Sequence, residues 1–101
     1  MPTASPLQAF DFESLTVDDT AGGKRLSLAK ILKTPHAKSA VLTLASGQIR
    51  YTVDGTTVTS SVGHVANPTD VIELKNPQEL ETFRAIRTGS TSGVLSISYY
   101  R

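Results

Sequence analysis

From Ile49 to Thr59 the chain reads Ile-Arg-Tyr-Thr-Val-Asp-Gly-Thr-Thr-Val-Thr. Apolar and polar residues alternate into Asp54-Gly55 and out again. Period-two alternation marks a half-buried strand, and Asp-Gly is a strong two-residue hairpin signal. The pattern predicts a β-hairpin with Val53 opposite Thr56 and Tyr51 opposite Val58. Asp54 is expected as a turn residue that tolerates positive φ, and Gly55 as the position that adopts it.

Neighbouring segments extend the pattern. Ser39 to Ala45 alternates as a strand, and Ser46-Gly47 follows as a turn. That register predicts Leu44 opposite Ile49, Leu42 opposite Tyr51 and Ala40 opposite Val53. The two turns together predict a three-stranded meander. Its buried face would carry Leu42, Leu44, Ile49, Tyr51, Val53 and Val58. Its outer face would carry Thr43, Arg50, Thr52, Thr57 and Thr59, with Val41 among them. A slip of one residue would invert the partition.

The rest of the chain reads as further short strands. Residues 1–6 form an arm with two prolines and no periodicity. Phe10 and Phe12 suggest a strand between Leu7 and Val17. Asp18 to Gly23 is a loop. Leu26 to Leu32 fits a short strand followed by a loop or one helical turn, and Thr34-Pro35 disfavours helix beyond it. Asn67-Pro68-Thr69-Asp70 is a turn, Val71 to Leu74 a strand, and Asn76-Pro77 the opening of another turn. Thr82–Arg87 and Val94–Tyr100 are expected to form a last hairpin. Its core face would carry Phe83, Ala85, Leu95, Ile97 and Tyr99, with Ile86 half covered.

At 101 residues the chain is one small domain, 7–101, behind the arm at 1–6. Serine and threonine supply 24 residues and tryptophan is absent, a composition that reads as all-β. There is no cysteine, so disulfides and thiolate chemistry are excluded. No apolar run approaches the roughly 20 residues of a membrane span. The N-terminus lacks the basic start and apolar centre of a signal peptide.

Net charge is +1, which weighs against a nucleic-acid partner. The charge is segregated, however. Asp11, Glu13, Asp18 and Asp19 lie in the first 20 residues, which contain no base. Lys24, Arg25, Lys30, Lys33 and Lys38 follow in a stretch free of acids. Those five cations are the candidate interface, because segregated charge orients partners. Pairing with the acidic segment of the same chain is equally allowed.

Reactive constellations are not evident. His36 and His64 have no metal-ligand spacing, and the acidic pairs lack the alternation around glycine of a calcium loop. Neither a nucleophile elbow nor a phosphate loop occurs. Arg50, Arg84 and Arg87 with Tyr99 and Tyr100 could form a basic-aromatic patch, against which the acidic N-terminus weighs. No catalytic residue, cofactor or metal is expected.

Ile49, Tyr51, Thr52, Asp54, Gly55, Thr56 and Thr59 resemble the hairpin motif of chitobiase C-terminal-type immunoglobulin-like modules. Val58 stands where those modules usually carry proline. A longer stretch, from about Ala40 to Arg101, resembles small structural proteins of tailed bacteriophages and prophages. The likeness runs through the same hairpin, then Val62-Gly63-His64, then Phe83, Ala85, Ile86 and Arg87. It finishes with Leu95, Ile97, Tyr99 and Tyr100. It does not extend over the first 35 residues.

The resemblance implies an immunoglobulin-like antiparallel β-sandwich of about seven strands. It also implies a non-enzymatic virion protein made in the bacterial cytoplasm. Capsid decoration, or cement, is the first expectation; a head–tail connector, neck or fibre-base position is the second. Partners would be capsid or connector proteins, in a homo-oligomer or symmetric array. The alternative is a carbohydrate-binding or spacer module of a glycan-active system.

Overall fold

A computed structural model describes residues 8–32 and 36–101. The arm at 1–6, Lys33 and Thr34-Pro35 lie outside the described residues. Among those described there are seven strands: β1 (Ala9–Val17), β2 (Ser39–Ser46), β3 (Ile49–Thr52), β4 (His64–Ala66), β5 (Val71–Leu74), β6 (Arg84–Arg87) and β7 (Gly93–Tyr100). Two short helices, α1 (Leu28–Ile31) and α2 (Pro77–Thr82), complete the elements. The strands make a sandwich of two antiparallel sheets, ordered β1-β7-β2-β5 and β4-β3-β6. The chain is therefore all-β, with the expected number of strands divided four and three.

Alternation sorts the core as expected. Leu15 and Val17 of β1, Leu42 and Leu44 of β2, and Ile72 and Leu74 of β5 are buried. So are Leu95, Ile97 and Tyr99 of β7. Ile49, Phe83 and Ala85 close over them from the other layer. Tyr51 and Val53 are half-buried at the margin of this core, where Tyr51 stacks on Phe83 with ring centroids 5.8 Å apart.

The pairing differs from the sequence expectation. β2 and β3 do not form a meander. β2 pairs with β7 and β5, whereas β3 pairs with β6 and β4. The Ser46-Gly47-Gln48 link crosses between sheets instead of folding back within one. Gly47 takes φ +76, and a Cβ there would lie 2.8 Å from the Ser92 carbonyl oxygen. Leu44 and Ile49 still meet, but across the sandwich. A Cβ on Gly93 would lie 2.6 Å from Ile49 Cγ2 and 3.4 Å from Leu44 Cδ1.

The last hairpin is replaced for the same reason, since β6 belongs to the three-stranded sheet and β7 to the other. Tyr51 pairs with His64 rather than Val58, so residues 53–63 form a long excursion between β3 and β4.

Asn76-Pro77 opens a helix, not merely a turn. Asn76 Oδ1 accepts the Glu79 N–H at 3.0 Å, and Glu79 Oε1 accepts the Lys75 N–H at 2.9 Å. Proline in the first helical turn and a reciprocal cap are strong start signals. Leu26 to Leu32 becomes the single turn α1, with Ile31 buried and Ser27 as its N-cap. Lys24 makes an isolated bridge to Ala85 ahead of it.

Candidate functional site

The excursion from residue 53 to 63 begins at the bend that carries Asp54 and Gly55. Gly55 has φ +89, as the turn requires. Asp54 Oδ1 accepts the Thr56 N–H at 3.0 Å. The Thr56 hydroxyl and N–H hold the exposed Asp54 carboxyl below the usual carboxylate range. The bend is anchored from outside by Thr82, whose hydroxyl donates to the Val53 carbonyl at 2.5 Å.

Beyond the bend the excursion folds back over the outer face of the three-stranded sheet. Thr52, expected on the outer face as an exposed or interface residue, is buried there within the chain, and its hydroxyl donates to the Thr56 carbonyl at 2.7 Å. Alternation placed Thr52 on the outer side correctly; the chain that lies over it was not visible in that pattern. Val58 is buried against Gly23 and Gly63. Arg50 ties the cover down through Nε to the Ser60 carbonyl at 3.0 Å and Nη1 to the Gly63 carbonyl at 2.8 Å.

A cleft of about 490 Å³ opens beside this cover. Its floor includes Val58 and Ile86, and its walls carry the hydroxyl residues Thr57, Thr59, Ser60 and Thr88. Arg87 and Asp19 stand at one side, 3.4 Å apart. Asp54 and His64 belong to a separate hollow of about 390 Å³. Among the described residues, no three of His, Asp and Glu are gathered as a metal site.

Among the described residues, the candidate interface cations Lys24, Arg25, Lys30 and Lys38 make separate contacts. Lys30 Nζ lies 3.1 Å from Asp11 Oδ1, joining the basic stretch to the acidic one within the chain. Arg25 donates to the Glu81 carbonyl. Lys24 N–H and carbonyl bridge Ala85 at 2.7 and 3.0 Å. Lys38 is exposed beside the end of β7, where its N–H donates to the Tyr100 carbonyl at 2.7 Å. Lys33 lies outside the described residues. Asp18 is held low mainly by the Thr20 hydroxyl, with a smaller pull from Lys24.

Asp11 and Glu13 occupy the core side of β1, opposite Tyr99 and Ile97, and sequence reasoning did not find them there. Glu13 Oε1 accepts the Tyr99 hydroxyl at 2.6 Å and the Ser27 N–H at 3.2 Å. Burial, with this carboxylate as the second cause, pushes the Tyr99 hydroxyl pKa up. A register shift between Ala9 and Asp11 sets the arrangement, and bulges have no reliable sequence signal. Tyr99 is a core residue, as its strand face predicted, and so does not join Arg84 and Arg87 in the basic-aromatic patch that the acidic N-terminus weighed against. Those arginines lie on the other sheet, where Arg84 Nη1 donates to the Gly22 carbonyl at 3.1 Å.

The outer face of the four-stranded sheet carries mostly hydroxyl and apolar residues. Strand registers arrange it in rows across β1, β7, β2 and β5. One row reads Phe12, Ser98, Val41, Glu73; the next reads Ser14, Ser96, Thr43, Val71. Thr16 and Val94 follow on one side, Tyr100 and Ser39 on the other. Glu73 is the lone carboxylate in these rows, and none of them holds a lysine or arginine. Phe12 and Val71 are 55% and 60% exposed, the largest values among the big apolar residues described.

No family model matches the chain, and no curated protein or solved structure matches it either.

Proposed function

We propose that this protein is a structural component of a tailed-phage virion that acts by surface docking and performs no catalysis. Capsid decoration is the first role and a connector, neck or fibre-base position the second. The observation that carries this reading is the outer face of the four-stranded sheet, whose rows hold one carboxylate, Glu73, and no lysine or arginine. Exposed sheet faces ordinarily carry interspersed lysines and acids, which keep the protein soluble and single. The centre of a protein–protein interface is depleted of charge in the same way. The hairpin and C-terminal strand motifs supply the phage context.

Mass spectrometry of purified virions tests the reading. A constant copy number per particle supports it, and absence from particles overturns it. The cleft beside residues 57–60 favours a second reading, a module for a small polar ligand such as a sugar. Its volume falls within the roughly 300–1,000 Å³ of ordinary ligand sites. Binding on a glycan array, lost on substituting Arg87, would select that reading instead.

A further inference from the structure

We infer that the cleft beside residues 57–60 binds a small saccharide carrying one carboxylate, of the uronic-acid class, with the Arg87 guanidinium meeting that carboxylate in place of Asp19. The inference rests on the second reading above, the cleft as a ligand site, and names the ligand's chemical class. It is independent of the virion reading.

Arg87 differs from Arg25, Arg50 and Arg84. Arg25 and Arg84 each donate to a main-chain carbonyl, and Arg50 donates to two. Among the described residues Arg87 has no such partner. Its Nη1 lies 3.4 Å from Ser92 Oγ and its Nη2 lies 3.4 Å from Asp19 Oδ2. Its Nε, like that of Arg84, is buried with no acceptor. Charge-assisted bonds normally close to about 2.7–2.9 Å. The guanidinium is thus positioned but not saturated. Its strand is firmly held: Arg87 pairs with Ile49, and its N–H donates to the Asp18 carbonyl at 3.0 Å. A planar cation fixed on a strand and weakly partnered is preorganised for a planar anion.

Asp19 is the group that the ligand replaces. Its side chain is 74% exposed and makes one long contact, and exposed pairs of this kind contribute little. A carboxylate on a ligand instead meets two guanidinium N–H groups at once. Arg87 and Asp19 are the only ionised groups in the lining, so one negative charge on the ligand matches one positive charge. A phosphate dianion would bring a second negative charge beside Asp19 with no cation to meet it.

The rest of the cleft supplies partners for a sugar ring. Thr57 and Ser60 are exposed, and no described residue engages their hydroxyls. The Thr88 hydroxyl donates to Gln48 Oε1 at 2.8 Å and keeps its lone pairs to accept with. Groups that both donate and accept suit the hydroxyls of a saccharide. Val58 and Ile86 form an apolar floor for the C–H face of the ring. A plain alkyl acid would shield the wall hydroxyls from water without pairing them, and a neutral sugar would leave Arg87 unsaturated.

Titration of the isotope-labelled protein with D-glucuronate, followed by NMR of its amides, tests the inference. Amides of residues 57–60 and 86–89 should shift together. A dissociation constant of about 1 mM is expected for a ligand of so few atoms. Glucose, acetate and inorganic phosphate are the comparison probes, and each should bind at least ~10-fold more weakly. Arg87→Gln should weaken glucuronate binding at least ~10-fold, with Arg87→Lys in between because lysine lacks the planar fork. Asp19→Asn removes the competing carboxylate and should tighten binding roughly 2–5-fold. Asp19 is exposed, so that variant keeps the test decisive even where Arg87→Gln does not fold. Absence of any shift near ~50 mM glucuronate overturns the inference. So does acetate or phosphate that binds as tightly, or an Asp19→Asn variant that binds no tighter than the parent. Glucose equal to glucuronate overturns this inference alone and leaves the cleft a saccharide site. If no saccharide, acidic or neutral, shifts the cleft, the second reading falls as well. Particle content bears on the virion reading only.

Discussion

The two sheets present outer faces built on the same alternation, and the two faces end in different environments. On the three-stranded sheet Arg50 and Thr52 lie beneath residues 53–63, with Val58 and Ile86 buried alongside. On the four-stranded sheet Phe12 and Val71 remain in solvent. The difference lies in connection length. β3 and β4 pair directly, so the long stretch between them has no sheet to join and lies across the outside. Among the described residues, no comparable excursion is placed over the larger sheet. Strand periodicity thus states which side a residue faces, while the loops decide what that side meets.

Stability measurements can break this comparison, beginning with the inner reference. Leu44→Ala should cost about 2–5 kcal/mol in denaturant unfolding, the usual penalty for truncating a buried leucine. A loss no larger than that of an outer-face substitution would dissolve the distinction between inside and outside.

The cover should be sensitive at its closest approach. Gly23 has φ +93, and a Cβ there would lie 2.5 Å from Val58 Cγ1. Gly23→Ala should cost more than the roughly 1–2 kcal/mol of left-handed strain alone. Gly89→Ala is the control, because no atom lies within 4 Å of its Cβ position. Equal effects at the two glycines would mean that residues 53–63 do not press on the sheet.

Valines on the two outer faces give the direct contrast. Val58→Ala should lose roughly 1.6 kcal/mol, at ~0.8 kcal/mol per carbon removed from the covered site. Val71→Ala on the bare face should stay within about 0.5 kcal/mol. Hydrogen exchange sharpens the same point, with slow amides expected at Thr52 and fast ones along the outward edge of β5.

The smallest effect is expected at the bend. Asp54→Asn should be nearly silent near neutral pH, because asparagine makes the same turn. Asp54 is depressed in the folded state, so its small contribution is present above its unfolded pKa. It is lost as pH falls through the lower folded value. The asparagine variant should lack only that slight acid limb. A large loss of a measured activity at unchanged stability would give this carboxylate a functional role.

Much of the core was legible, for a physical reason. Leu42, Leu44, Ile49, Leu95 and Ile97 are inward whether their strands pair side by side or face each other across a sandwich. Alternation registers direction relative to the core, and both arrangements share it. Strand partnership was not legible, because a short Ser46-Gly47 link can close a hairpin or cross a core with equal economy. Helix α2 was missed, because Asn76-Pro77 reads equally well as a turn; the signal that marks it is the cap, first-turn proline and third-position acid that coincide at Asn76, Pro77 and Glu79. The candidate docking face was hidden differently. Its rows draw single residues from four strands far apart in sequence, and their scarcity of charge, with Glu73 alone ionised, appears only once the registers are known.

β7 sits between β1 and β2. The last strand in sequence is thus the middle of the larger sheet, and β3 with β4 is the sole pairing of consecutive strands described. Non-local pairing of this kind delays folding, because long loops must close before contacts repay them. While the polypeptide is being made, β1 and β2 have no shared partner and their apolar sides stay open. Synthesis of residues 93–100 therefore acts as the trigger for the larger sheet. Loss of that strand should leave two halves without a seam, a species prone to aggregate rather than a slightly smaller sandwich.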